Sequence, residues 1–363
     1  MKEQTGNRII LFSFVLTVFV IWLHAGESLI SSIPGQIAVP GFFILSGFLF
    51  FRFPSGVPSG TFPDQPAGDV SSEAAKTEST GDISSETTKT ESGFFPGWMR
   101  TKLLRRLRTL LIPYLTWNTI YFLIYLAVGK ASIGELLQAV FHYSCNPVFW
   151  YLFQLNLITA VTPLLYQLMK RKWTAILWLA VIFTAAVFYS EIHAVIPFSF
   201  INEDALFYYS AGAFLSMYVA KPGGEESRRL TGISAGACAG LLLLFTGLQY
   251  FVPDAVCNAA VIGQRLAGAL LVWFLTGLVK RDGSVRVFPW MKITFFIYAT
   301  HYMVIRAVWA AEIALGLNGN EFANIVTYLI MPAVCTAAAY GLYILMKKTM
   351  PKVLGFLTGN RGD

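Results

Sequence analysis

Long apolar runs alternate along this chain with knots of Lys and Arg that stand at every second boundary between them. About ten such runs reach roughly 17–24 residues, the length a helix needs to cross a ~30 Å hydrocarbon core. With the N-terminus placed in the cytoplasm, 24 of the 27 Lys and Arg fall on the cytoplasmic side. Lys130 falls outside, and Arg265 and Arg306 lie within spans. That asymmetry is the positive-inside pattern. The chain is expected to be an all-α polytopic membrane protein with about ten transmembrane helices and both termini cytoplasmic.

Composition agrees with a lipid solvent. Charged residues make up 13% of the 363 residues, where a soluble domain carries about 25%. The net charge of +7 is confined to loop ends, so it serves topology and anionic lipid, not nucleic acid. Cys145, Cys238, Cys257 and Cys335 show no metal-binding spacing. Cys145 and Cys257 both fall near the outer face, which leaves one disulfide open. The first run is not a cleaved signal, because it continues to His24 and Glu27 without a small-residue site and a second span follows.

The first span covers about Ile9–Gly26 and the second about Ile37–Phe53. The third starts near Thr109, and the fourth covers Val148–Met169. Trp173–Tyr189, Ala205–Val219, Leu230–Val252, Val261–Val279, Pro289–Ala310 and Ala323–Met346 complete the set. Lys130–Asn146 is an outer loop whose Leu136, Leu137, Val140 and Phe141 suit it to lie along the interface. Pro54–Pro96 differs in kind. It is rich in Ser, Thr, Gly, Pro and Glu, carries seven acids and two Lys, and holds KTES twice. Such a segment cannot bury enough apolar surface to fold. It is expected to be a disordered cytoplasmic insertion in one membrane domain that spans 1–363.

Four stretches carry chemistry. His24 lies in the outer third of the first span, and Glu27 shares its face three residues on. An ionisable residue inside a span is costly and usually functional, although a His–Glu pair can also simply end a helix in water. Val39–Phe51 places Pro40, Gly41 and Gly47 in an apolar span, which permits either close packing or a backbone facing a cavity. Arg100, Lys102, Arg105, Arg106 and Arg108 precede the third span; guanidinium forks suit phosphate, and they also suit lipid headgroups. His301 lies near mid-membrane, where it is a catalyst or a packing residue. Arg306 and Arg265 each require a partner or an aqueous cavity, with Glu203, Asp204 and Glu312 as candidates.

The stretches VIWLHA (Val20–Ala25), VPGFFILSGFLF (Val39–Phe50), RRLRTLLIPYLTWN (Arg105–Asn118), FWYLFQLNLITAVTPLLY (Phe149–Tyr166) and FFIYATHYMVI (Phe295–Ile305) come in one order. Together they resemble acyltransferase family 3, the bacterial integral-membrane acyltransferases. The resemblance implies a ten-helix bundle in the bacterial inner membrane. It also implies an acyl-CoA donor, usually acetyl-CoA, as co-substrate with no bound cofactor or metal, and transfer to a hydroxyl such as that of an envelope glycan. The family's helix 1 histidine maps onto His24, and its arginine cluster maps onto Arg105, Arg106 and Arg108. His24 would then act as general base or as a transient acyl carrier, Glu27 would orient it, and the arginines would hold the coenzyme A phosphates. Ser46, Asn118, Trp150, Tyr151, His301 and Arg306 are further pocket candidates, with Trp150 and Tyr151 stacking on sugar at the acceptor mouth. Many members carry a basic residue eleven positions before the histidine; here that position is Ser13, with Arg8 the nearest cation. The alternatives are a carrier or exporter of a small acid or glycan, and a sensing or assembly partner docked through the KTES repeats.

Overall fold

The computed structural model describes residues 2–26, 29–52, 97–196, 200–220, 227–279, 285–317 and 319–359. Glu27 and the insertion Pro54–Pro96, on which the sequence places expectations, lie outside the described residues.

The described residues form helices and no strands. Helices α1 (Lys2–Ala25) and α2 (Leu29–Phe51) lead into the long α3 (Gly97–Ala127) and the short α4 (Leu136–His142). Then come α5 (Trp150–Met169), α6 (Lys172–Val187), α7 (Tyr189–Val195) and α8 (Glu203–Phe214). The rest is α9 (Arg228–Leu248), α10 (Asp254–Leu278), α11 (Thr294–Ala314), α12 (Glu321–Thr349) and α13 (Pro351–Thr358).

Among the described residues seven helices are long and apolar enough to cross a membrane: α1, α2, α3, α5, α9, α10 and α12. The pair α6 and α7 makes an eighth crossing if it is one span; it bends by 75° at Phe188. Helices α8 and α11 occupy expected spans but fall short of the same standard. Helix α8 has only 12 residues and opens on Glu203 and Asp204, and α11 contains His301, Arg306 and Glu312. Helix α8 runs on into one wide turn, Leu215–Val219, in which the Ala220 N–H bonds the Leu215 carbonyl five residues back.

Helix α3 begins twelve residues before the expected Thr109. Its first turns are basic, which hides them from hydropathy, yet Arg, Lys and Leu are good helix formers. The arginine cluster is therefore part of the helix. Within α3, Pro113 removes the N–H that would bond the Thr109 carbonyl. Gly359, which caps α13 at φ +68°, packs against that carbonyl. The Trp117 indole N–H donates to the Leu357 carbonyl at 3.0 Å, so α13, which hydropathy did not reveal, docks on the bend of α3.

Glycines set the helix spacing around α2. Leu23 packs at Gly35 and Leu16 at Gly41, so α1 and α2 run antiparallel in close contact. Ile37 fills the space at Gly268 of α10. At Gly47 and Gly212 the backbones of α2 and α8 meet, since a Cβ on Gly47 would collide with the Tyr209 carbonyl and one on Gly212 with the Ile44 carbonyl. Such small-residue crossings supply van der Waals packing where lipid removes the hydrophobic drive between helices. Arg8 ties α1 to α10: it is 6% exposed, lies 4.0 Å over the Trp273 ring and donates to the Trp273 carbonyl at 2.8 Å.

Lys102 donates to the Arg52 carbonyl at 3.0 Å and lies over the Phe50 ring, so the ends of α2 and α3 meet on either side of the insertion. Replacing Pro54–Pro96 by a short Gly/Ser linker is expected to leave membrane insertion unchanged and activity within a few-fold, because loop length costs only about (3/2)RT ln n. Lost activity in a normally inserted variant would instead assign the segment a binding or regulatory role.

Candidate active site

Helix α1 carries His24 one residue before its end, half-buried, and α11 carries His301, fully buried. Packing of α1 on α11 brings the two imidazoles together, with ring centres 5.6 Å apart and planes inclined by 39°. The His301 Nδ1–H donates to the Tyr298 carbonyl, one turn back, at 2.5 Å. A carbonyl only accepts, so the neutral ring keeps its proton on Nδ1 and a lone pair on Nε2. That Nε2 is buried with no partner among the described residues. Leaving a buried acceptor unpaired costs about 1–3 kcal/mol, and here the unpaired atom sits on the ring that faces a second histidine.

The ring is held from behind. The Tyr298 hydroxyl donates to the Val148 carbonyl, just ahead of α5, at 2.6 Å. From Tyr298 an aromatic wall continues edge-on to Tyr151 at 5.9 Å and from Tyr151 to Phe43 at 4.8 Å. Trp150 lies beside it, 6.4 Å from Phe43. Tyr151 is thus in the wall next to the histidines, and Trp150 lines a cavity beyond it. Asn118 is fully buried on α3; its amide donates to the Tyr114 carbonyl at 2.9 Å, and its Oδ1 has no partner among the described residues.

The arginines lie at the far end. Arg105 and Arg108 are exposed, while Arg106 is half-buried within electrostatic reach of Tyr209 and Lys102. Further along α3, the Tyr121 hydroxyl donates to the Ala299 carbonyl at 3.0 Å, two residues before His301. Sixteen residues separate Arg105 from Tyr121, or roughly 24 Å of helix at 1.5 Å per residue. The cations and the histidine pair therefore occupy opposite ends of α3.

Two pocket candidates are not brought to the histidines. Arg306 is exposed and lies 5.9 Å over the Trp309 ring of its own helix. Five positions after His301 a helix has turned about 140°, so one side chain faces in and the other out. Its candidate partners are engaged elsewhere: Asp204 with Arg265 at 2.9 Å, Glu203 with His193 at 3.0 Å, and Glu312 with the Thr327 hydroxyl. Ser46 sits beside Gly47, past the level of Leu16, and so lies toward the arginine end of α2. All four cysteines are free, so the disulfide left open between Cys145 and Cys257 is not formed.

Residue types alone gave no pairing for two contacts, His24 with His301 and Asp204 with Arg265. The available signal was that an intramembrane ionisable group must find a partner.

Residues 9–344 match the acyltransferase domain that defines acyltransferase family 3. The succinoglycan biosynthesis protein ExoH of Rhizobium meliloti (strain 1021) is 24% identical over 282 residues, covering 70% of this chain and 70% of ExoH. No solved structure matches the chain. With the family match running over nearly the whole of a bundle that has seven helices fit to cross a membrane, the chain belongs to acyltransferase family 3 and is a multi-pass membrane acyltransferase.

Proposed function

We propose that this protein is an O-acyltransferase of the bacterial inner membrane. It moves an acyl group, acetyl by preference, from cytoplasmic acyl-CoA to a hydroxyl of an envelope glycan. The observation that carries this reading is the placement of an imidazole pair at one end of the bundle and a guanidinium cluster at the other. Coenzyme A has the matching polarity, with phosphates at one end of an extended arm and the thioester at the other. The relative's role in succinoglycan biosynthesis supports a glycan acceptor.

In this reading Arg105, Arg106 and Arg108 hold the phosphates by charge-assisted hydrogen bonds. His24 takes the proton of the acceptor hydroxyl, whose oxygen attacks the thioester carbonyl. The C–O bond forms, the C–S bond breaks, and the departing thiolate receives the proton from His24. His301 is the positioning residue: its Nε2 lone pair, unpartnered among the described residues on the ring beside His24, is available to accept an N–H from His24 as the acceptor binds, which would leave the other His24 nitrogen as the base.

The test is acyl-CoA turnover by purified protein in lipid nanodiscs. Arg105→Ala with Arg106→Ala is expected to raise the KM for acetyl-CoA by 10-fold or more, since each contact to a charged group is typically worth about 1.5–3 kcal/mol. An unchanged KM, with only protein abundance reduced, would make the cluster a topology anchor. The same reading puts both termini in the cytoplasm and ten crossings between them. Cysteines introduced at 312–322 are expected to react with an impermeant reagent from outside, and labelling from the cytoplasm alone would sink this topology.

A further inference from the structure

A cavity of about 270 Å³ opens at the histidine end of the bundle, between α1, α2, α8, α10 and the start of α5. Its wall includes Leu23, Gln36, Phe43, Trp150, Asp204 and Arg265. None of Gln36, Asp204 or Arg265 has a place in the transfer chemistry above. We propose that this cavity is an anchoring subsite for one neutral sugar ring of the acceptor, away from the hydroxyl that reacts; the proposal rests on the glycan reading of the acceptor.

The chemistry of the wall selects this ligand class. Arg265 is already paired with Asp204 at 2.9 Å, so the site has no excess charge with which to hold an anion. Both side chains remain partly exposed, at 28% and 30%, and can still bond a ligand. The Gln36 Oε1 and the Arg265 Nε are buried in the same wall with no partner among the described residues. One needs a donor and the other an acceptor. A hydroxyl group supplies both, whereas an acyl chain supplies neither. Trp150 and Phe43 add aromatic faces for the C–H side of a pyranose. The volume lies near the lower end for ligand pockets, ~300–1,000 Å³, which suits a single ring.

Position supports an anchoring role. Leu23 is in the wall, and the next residue is His24, which a helical step of about 100° turns toward α11. The cavity and the histidine pair thus flank the end of α1. Phe43, Tyr151, Tyr298 and His301 join them through ring contacts of 4.8 Å, 5.9 Å and 5.7 Å. One ring held in the cavity fixes the chain while a neighbouring ring presents its hydroxyl. Binding energy gathered away from the reacting atoms is what positions them.

The experiment is saturation-transfer NMR of cellotetraose with the purified protein in nanodiscs. Wild-type protein is expected to transfer saturation to the sugar, and Trp150→Ala and Gln36→Leu are each expected to reduce the signal at least three-fold. Because the Gln36 oxygen has no protein partner among the described residues, Gln36→Leu should melt no lower than wild type, so it decides the matter even where Trp150→Ala fails to fold. Absence of signal from wild type, or an undiminished signal from folded Gln36→Leu, overturns the assignment. Release of coenzyme A from acetyl-CoA by wild-type protein is followed separately; its absence would count against the acyltransferase mechanism, not against the cavity.

Discussion

His24→Ala protein is expected to fold, to bind acetyl-CoA and to lose transfer by 10²–10⁴-fold, the usual contribution of a general base. The fold should tolerate the change because His24 is only half-buried at the last turn of α1. His301→Ala removes a fully buried ring and its bond to Tyr298, so it is expected to lower both activity and melting temperature. His301→Gln can keep an acceptor near the Nε2 position and should restore part of the activity. Acidification is expected to reduce wild-type turnover, because an imidazolium cannot take the hydroxyl proton. The single-site alanine variant is decisive: near-normal acetyl transfer by well-expressed His24→Ala protein would remove His24 from the reaction and pass the role of base to His301.

Hydropathy made legible the seven spans that, among the described residues, are long and apolar enough to cross, because lipid forces every backbone group into a helix and every crossing to a minimum length. What it missed has physical causes. The start of α3 is polar, so its twelve residues from Gly97 to Arg108 look like a loop although their helix propensity is high. The bend at Phe188 and the short α13 leave no mark in an average over a span. Within the site, His24 and His301 each stood out as an ionisable group in a membrane, but their pairing did not. His24 and His301 lie 277 positions apart, and which face of α11 turns inward is set by its packing on α1, not by the spacing of its residues. For the same reason the sequence offered Arg306 as a pocket residue, where the structure places it on the surface.

Gly47→Val and Gly212→Leu are each expected to abolish the folded protein, the largest effect on stability in the chain. In both cases the new Cβ meets a backbone carbonyl of the opposite helix, which no rotamer change can relieve. Overpacking a core with side-chain partners typically costs ~1–3 kcal/mol; forcing two backbones apart costs more, and total stability is only ~5–15 kcal/mol. Gly236→Ala and Gly240→Ala on α9 are the controls, since nothing lies within 4 Å of the added atom. Fluorescence-detected gel filtration separates the outcomes. A monodisperse Gly212→Leu protein that melts near the wild-type temperature would mean that α2 and α8 do not touch backbone to backbone.

That crossing also limits how substrates move. A carrier works by rocking one half of its bundle against the other around a central site, and such motion needs an interface that slides. Helix α2 is seated by glycine contacts on α1, α8 and α10 at once, the last at Gly268 of α10, with carbonyl groups of α2 and α8 set into the glycine notches. Sliding α2 along α8 would lift those carbonyls out of the notches and onto side-chain-bearing turns. On the proposed reading, donor and acceptor would each reach this fixed scaffold from its own end instead of being carried across by a rocking bundle.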